Sequence, residues 1–194
     1  MRRLLLLAPL TACVHPVVAS LSPSDDPGIT IPGSALEFYD LTGSNAVDVV
    51  QSLVEQSPAE ANIQHAAQTR WEVVWRYPAG PDDQPEACDL DQVDVHVSVV
   101  TDFPRWSPPA ESNPEDVAEW HRYTRALAVH ETEHVALIDD LAGTLPAVLG
   151  GSDCAHADAE GQGVLDAIRA ANNELDVATR DGAREGAALA WLGG

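Results

Sequence analysis

The residues best suited to chemistry lie in the stretch His130-Glu131-Thr132-Glu133-His134, which matches the pattern His-Glu-x-x-His. On an α-helix, residues four positions apart lie on one face, so the imidazoles of His130 and His134 can reach a single metal ion. Glu131 can then accept a proton from a water molecule at that ion. The spacing therefore predicts a Zn²⁺ site with His130 and His134 as ligands and Glu131 as the general base.

The helix that must carry this motif is predicted to begin near Asn113 and to end near residue 142. Asn113 suits the N-cap, Pro114 suits the first turn, and acidic residues follow at the positive end of the helix dipole. Glu131 and His134 fall on an apolar stripe, where a buried ionised group needs a partner or a metal. A core histidine satisfied by a buried carboxylate is the alternative. The stripe repeats at steps of three and four residues: Val117, Trp120, Leu127, Ile138 and Leu141.

The amino terminus has the pattern of a bacterial export signal. Two arginines precede a short apolar run that ends in Leu-Thr-Ala-Cys at Cys13, which resembles a lipobox. The sequence predicts a lipoprotein signal at 1–13 with acylation of Cys13, followed by a flexible tether over 14–35. Ordinary signal cleavage near residues 17–19 is the alternative. We expect an exported lipoprotein of the cell envelope that faces the periplasm or the cell exterior.

Length and charge limit the fold and the partners. A chain of 194 residues suits one domain, predicted over 36–194. The formal net charge of −21 becomes −23 when Arg2 and Arg3 leave with the signal. So acidic a chain repels nucleic acid and anionic lipid headgroups, so membrane contact is expected only through the lipid anchor. A protein or peptide substrate is the expected partner, and the sequence leaves the oligomeric state open.

The cysteines that remain after Cys13 are an even pair in an exported chain. This pattern predicts a disulfide between Cys88 and Cys154, with two free thiols or a metal-binding pair as the alternative. The bond would close a loop of 154 − 88 = 66 residues. A loop of this length corresponds to about 4 kcal/mol of stabilisation in the chain-entropy model.

The order of the predicted elements indicates an α+β fold. Runs rich in β-branched and aromatic residues predict strands at 36–41, 69–77 and 90–103. Hydrophobic periodicity predicts helices at 44–56, 114–142 and 152–178. We expect the helices to pack on a small antiparallel sheet, with the His-Glu-x-x-His motif on a long, zincin-like helix.

Several segments of the chain, taken together and in their order along it, resemble a family of bacterial proteins described as predicted secreted zinc-dependent proteases. The resemblance extends over nearly all of residues 36–190 and implies a zinc peptidase with a Cys88–Cys154 disulfide. The protease description itself rests largely on the His-Glu-x-x-His motif. The matching segments are Tyr39–Gly43, Trp71–Tyr77, Cys88, Phe103–Pro109, Trp120 with Arg122-Tyr123, His130–His134, Cys154 and Thr179–Ala187.

One departure from the family concerns the third zinc ligand. Near the carboxyl terminus the family looks like Thr-x-His-Gly, whereas residues 179–182 of this chain are Thr-Arg-Asp-Gly. The resemblance implies that Asp181 replaces the histidine as a ligand, since a carboxylate oxygen binds zinc at a similar distance. Glu160 and His156 are alternative third ligands. Tyr123 and Arg125 are candidates for stabilising an oxyanion because they are near the motif in sequence.

The expected function is a zinc-dependent hydrolase that acts on peptide bonds at the cell envelope, with Glu131 as the general base. The rival is a catalytically inactive, lipid-anchored scaffold or binding protein that retains the peptidase fold. Asp181 favours the rival, and the intact Glu131 favours the enzyme. A hydrolase of another amide, such as a cell-wall crosslink, would present the same motif.

Overall fold

The computed structural model describes residues 28–57, 66–80 and 87–192. The predicted signal and Cys13 lie outside these residues. Of the predicted tether over 14–35, the described part begins at Gly28. Ile29 and Ile31 in this part are buried in the hydrophobic core. The packed region therefore begins before residue 36, because these two apolar side chains gain free energy by leaving water.

Three strands form one sheet with the order β1-β3-β2, where β1 is Ala35–Leu41, β2 is Gln68–Arg76 and β3 is Asp94–Trp106. Strands β2 and β3 run antiparallel, as predicted, and Thr69 lies opposite Thr101. Strand β1 runs parallel to β3, so the sheet is mixed rather than antiparallel throughout. A helix and β2 lie between β1 and β3 in the chain, which provides the long connection that a parallel pair requires.

The helices are α1 (Ala46–Gln56), α2 (Pro114–Ala142), α3 (Leu145–Gly150) and α4 (Ala157–Thr179). As predicted, α2 begins after Asn113, whose side chain accepts a hydrogen bond from the N–H of Glu115 at 3.0 Å. Helix α2 contacts β2 and β3 on one side and α4 on another, so it links the sheet to the last helix. The α+β prediction is confirmed. Within the described segments, no helix is both long and apolar enough to cross a membrane.

A disulfide joins Cys88 to Cys154, which confirms the predicted pairing. Cys88 lies on the connection between β2 and β3, and Cys154 lies three residues before the first residue of α4. The bond therefore ties the start of α4 to the sheet side of the molecule.

Candidate metal centre

The motif side chains lie on the buried face of α2, as the apolar stripe predicts. His130, Glu131 and His134 are 3%, 4% and 8% exposed, respectively. Trp120 and Ile138 of the predicted stripe are also buried. Two imidazoles and a carboxyl group thus interrupt an otherwise apolar surface, where each needs a polar partner or an ion.

The third group of the site is Asp176, which projects from α4 toward the two histidines. Its Oδ1 lies 2.9 Å from Nε2 of His134 and 3.4 Å from Nε2 of His130. The two Nε2 atoms lie 3.2 Å apart. Donor atoms in tetrahedral zinc sites, with bonds of about 2.0–2.1 Å, lie about 3.3 Å from one another. The three atoms therefore fit one face of a zinc coordination tetrahedron.

The opposite nitrogen of each imidazole is held by a hydrogen-bond acceptor. Nδ1 of His134 lies 2.6 Å from Oδ1 of Asn172, whose Nδ2 donates to the carbonyl of Ile168 at 2.8 Å. This second bond fixes the orientation of the amide, so Oδ1 must accept the proton of Nδ1. Nδ1 of His130 lies 3.1 Å from a carboxylate oxygen of Glu185. Both imidazoles therefore carry a proton on Nδ1, and when neutral they direct the lone pairs of Nε2 toward Asp176.

Three acceptor atoms that face each other at such distances require a positive charge between them. The pKa values of His130, His134 and Asp176 also favour positive charge on the two histidines. Burial lowers the pKa of His130 and of His134, but hydrogen bonds to Asp176 and nearby carboxylates outweigh burial and raise both above the ordinary value. Burial raises the pKa of Asp176, but the two histidines outweigh it and hold that pKa well below its usual range. The arrangement therefore favours positive charge, which protons or a metal ion would supply.

Glu131 lies beside the three candidate metal ligands and is not one of them. Its Oε2 accepts a hydrogen bond from the hydroxyl of Thr69 on β2 at 2.7 Å. Burial raises the pKa of Glu131 above its ordinary value, although the Thr69 bond and the two histidines act in the opposite direction. A carboxylate with a raised pKa is a stronger base at neutral pH. Glu131 lines an open pocket together with Gln68, Trp71, Leu127 and the three donor side chains.

A tight turn after α4 packs against His130. The N–H of Gly182 donates to the hydroxyl of Thr179 at 3.0 Å, and Gly182 has a φ of +76°. A Cβ atom at Gly182 would lie 2.9 Å from Cγ of His130, closer than side chains tolerate. The absence of a side chain at Gly182 therefore lets the turn support the imidazole and brings Glu185 to its Nδ1.

Helix α2 holds the chain that follows this turn. Arg122 donates through Nη1 to the carbonyl of Gly186 and through Nη2 to the carbonyl of Ala188, each at 2.6 Å. Glu119 pairs with Arg122 and accepts the N–H of Ala190 at 2.7 Å. Arg122 and Glu119 precede His130 by about two and three helical turns, respectively. Their bonds anchor the carboxyl-terminal segment to the same helix and so restrain the contact of the turn with His130.

Asp181 lines the same pocket but does not belong to the donor group, which consists of His130, His134 and Asp176. Helix α4 ends at Thr179, and Arg180 and Asp181 both adopt a left-handed conformation with φ of 55°. Asp181 therefore lies in the turn beyond the end of α4, whereas Asp176 lies within the helix and contacts both histidines of α2.

The other predicted ligands lie away from the pocket. Glu160 and His156 are exposed at the start of α4. Glu160 precedes Asp176 by sixteen residues, which corresponds to about 24 Å along a helix axis. Of the two oxyanion candidates, Tyr123 is buried against Trp120, and Arg125 is exposed. Neither side chain is among the described residues that line the pocket.

Comparison with protein-family models matches residues 36–182 to a model described as "Bacterial protein of unknown function (DUF922)". The matched range contains the motif on α2, both cysteines and Asp176, and it ends at the glycine that contacts His130. Comparisons with curated proteins and with solved structures give no match.

Proposed function

The chain belongs to DUF922, a bacterial family of unknown function, and we propose that it is a zinc-dependent hydrolase of peptide bonds. One observation carries this proposal: Nε2 of His130, Nε2 of His134 and Oδ1 of Asp176 converge within 3.4 Å of one another. Hydrogen bonds on the far side of each ring direct the Nε2 lone pairs inward. A structural zinc site has four protein ligands, whereas three ligands with an open position are typical of catalytic sites.

In the proposed reaction, metal binding, orientation of the histidine rings and proton transfer are carried out by different residues. His130, His134 and Asp176 would hold Zn²⁺, and Asn172 and Glu185 keep both rings in the tautomer that binds a metal. When bound, zinc supplies a water molecule of lowered pKa and polarises the substrate carbonyl. Glu131 takes a proton from the attacking water and delivers it to the leaving amine. The open pocket beside Glu131 gives the substrate access to these groups.

The proposed place of action is the bacterial cell envelope. The support is the signal-like amino terminus, which ends at Cys13, and the disulfide between Cys88 and Cys154. Disulfides persist in exported proteins because those compartments are oxidising. Replacing Cys13 with serine should release the protein from membranes in a cell fractionation. Continued anchoring of that variant would contradict the lipid anchor.

Zinc content tests the site directly. Purified protein should bind one zinc ion per chain by elemental analysis, and Asp176→Ala should lose it. Asp181→Ala is the matched control, because Asp181 lines the same pocket without joining the donors. Zinc that is retained by Asp176→Ala and lost by Asp181→Ala would instead make Asp181 the third ligand.

Hydrolysis tests the activity. The zinc-loaded protein should cleave fluorescently labelled casein, and the metal-free protein should not. A protein that binds one zinc ion without cleaving casein or cell-wall peptides would favour the inactive scaffold. Cleavage of the cell-wall peptides alone would assign the activity to a cell-wall amide.

A further inference from the structure

A row of hydroxyl groups, of which that of Thr101 is fully buried, crosses the sheet and ends on Glu131. The hydroxyl of Ser34 lies 2.8 Å from that of Thr101, which lies 3.0 Å from that of Thr69. Thr69 donates to Oε2 of Glu131 at 2.7 Å. The three residues follow the strand order, since Ser34 precedes β1, Thr101 is on β3 and Thr69 is on β2. We refer to Ser34, Thr101 and Thr69 as the hydroxyl chain.

The number of protons available determines which hydroxyl groups in the hydroxyl chain donate and which accept. Each hydroxyl group carries one proton and can accept further bonds through its oxygen lone pairs. Thr69 uses its proton on the carboxylate of Glu131, so Thr101 must donate to Thr69. The hydroxyl of Ser34 has a second acceptor within reach, since it also donates to the carbonyl of Ala35 at 3.1 Å. The O–H bonds of Thr101 and Thr69 therefore both point toward Glu131, and hydrogen bonds aligned in this way strengthen one another.

The positions of the threonines are unusual for a buried strand face. Thr101 is fully buried and follows Val97 and Val99 on the same face of β3. Valine has the same shape as threonine and costs no desolvation there, whereas a buried hydroxyl costs free energy unless it is bonded. The inward-facing pair Thr69 and Thr101 is directly cross-strand. Its hydroxyls lead to the one carboxyl group that the proposed reaction uses as a base.

We propose that Thr69 is a positioning residue for Glu131, and that Thr101 acts through Thr69. The bond from Thr69 holds Oε2 and leaves the other carboxylate oxygen to take the proton from water. The base thus keeps one orientation beside the metal donors, and a small misplacement of a reacting group costs much of the rate. This inference rests on the proposed role of Glu131.

The test compares Thr69→Val, Thr69→Ser and Thr101→Val in the zinc-loaded protein. Thr124→Val is the matched control, since Thr124 is fully buried and its hydroxyl bonds to a helix carbonyl, that of Trp120, at 3.0 Å. Thr69→Val should keep one zinc ion and lose about 10-fold or more in casein hydrolysis, the range typical of groups that orient a metal site. Thr69→Ser should restore the rate, and Thr124→Val should not change it.

A double variant separates positioning from general damage. If Thr101 acts through Thr69, the double variant of Thr69→Val and Thr101→Val should be no slower than Thr69→Val alone. A wild-type rate for zinc-loaded Thr69→Val, or an equal loss in Thr124→Val, would overturn the inference.

A double-mutant cycle on urea unfolding does not depend on activity. Thr69→Val and Glu131→Leu should be non-additive, whereas Thr124→Val and Glu131→Leu should add. Additivity of the first pair would overturn the inference even in an active enzyme. Coupling in a protein that binds zinc but hydrolyses nothing would leave Thr69 as the group that orients Glu131 and would refute the proposed function.

Discussion

Gly182 lies against the imidazole of His130, with its Cα placed so that an added Cβ would come within 2.9 Å of Cγ of the ring. The turn that contains Gly182 also delivers Glu185 to Nδ1 of the same histidine. One short segment thus determines both the position and the tautomer of a metal donor. The Glu119–Arg122 pair of α2 anchors the chain just after this turn.

Replacement of Gly182 with alanine should therefore damage the site. The added Cβ meets His130 and Ala187, and the φ of +76° disfavours any side chain. We expect a loss of about 1 kcal/mol or more in the free energy of unfolding together with weaker zinc binding. Gly163→Ala on α4 is the control, because nothing lies within 4 Å of its added Cβ. It should stabilise the helix slightly, and equal zinc affinity in both variants would contradict the packing argument.

Asn172 should contribute to zinc affinity without contacting the metal. Its carbonyl oxygen accepts the Nδ1 proton of His134 at 2.6 Å, which reserves Nε2 for the ion. Asn172→Ala should weaken zinc binding about 10- to 100-fold in a competitive chelator titration. The neighbouring Asn173 is exposed, so Asn173→Ala should bind zinc as the unaltered chain does. An equal effect of the two changes would show that α4 itself, rather than the hydrogen bond, is affected.

Glu131→Gln should separate metal binding from turnover. The amide keeps the shape of the side chain and an oxygen for the Thr69 hydroxyl, but it cannot take a proton. We expect one zinc ion per chain and a loss of about 10²- to 10⁴-fold in hydrolysis of labelled casein. Glu133→Gln, on the exposed side of the same helix, should retain both properties. Retained hydrolysis in Glu131→Gln would remove Glu131 as the general base.

A rise in pH should reduce the contribution of His130 and His134 to the stability of the metal-free protein, whereas it should strengthen zinc binding. In the metal-free protein, the raised pKa values of His130 and His134 stabilise the fold below the pKa of an unfolded histidine. This contribution disappears as pH rises through the raised values. The lowered pKa of Asp176 adds stability above the pKa of an unfolded aspartate, and that stability is lost as pH falls through the lowered value.

Zinc competes with the protons on the two histidines, so zinc binding should strengthen as pH rises through their raised pKa values. The shift in melting temperature on adding zinc should therefore grow as pH rises from 6.5, the ordinary histidine pKa, through the raised values of His130 and His134. Calorimetry at several pH values, with and without zinc, measures both trends. A zinc-induced shift that stays constant across this range would argue against His130 and His134 as ligands.

Periodicity and capping predicted α2 well because both signals are local. Asn113, the buried stripe and the motif all take the positions that a single helix gives them. The pairing of Cys88 with Cys154 could be predicted because only two cysteines remain after the predicted lipid-anchor residue. The parallel alignment of β1 could not, since it depends on how the chain crosses the sheet between strands.

Asp176 was not among the ligands predicted from the sequence, although the sequence around it carried a usable signal. Ile168, Asn172 and Asp176 are four residues apart, so they share the face of α4 that packs on α2. Two polar residues on this inward face interrupt it just as Glu131 and His134 interrupt the apolar stripe of α2. The direction of α4 across α2 decides which acidic residue reaches the histidines, and local sequence does not encode that crossing.

The disulfide has a thermodynamic consequence for the metal site. Two of the three donors are on α2, the third is on α4, and Cys154 restrains the start of α4. The disulfide favours the arrangement in which α4 lies against α2, and zinc held by the proposed ligands would favour the same arrangement. Linkage would then make the effect reciprocal: zinc would raise the equilibrium constant for oxidising the two thiols by the factor by which the disulfide raises the affinity for zinc. Reduction of the disulfide should therefore make zinc easier to remove with a chelator. Removal of zinc should likewise make the disulfide easier to reduce.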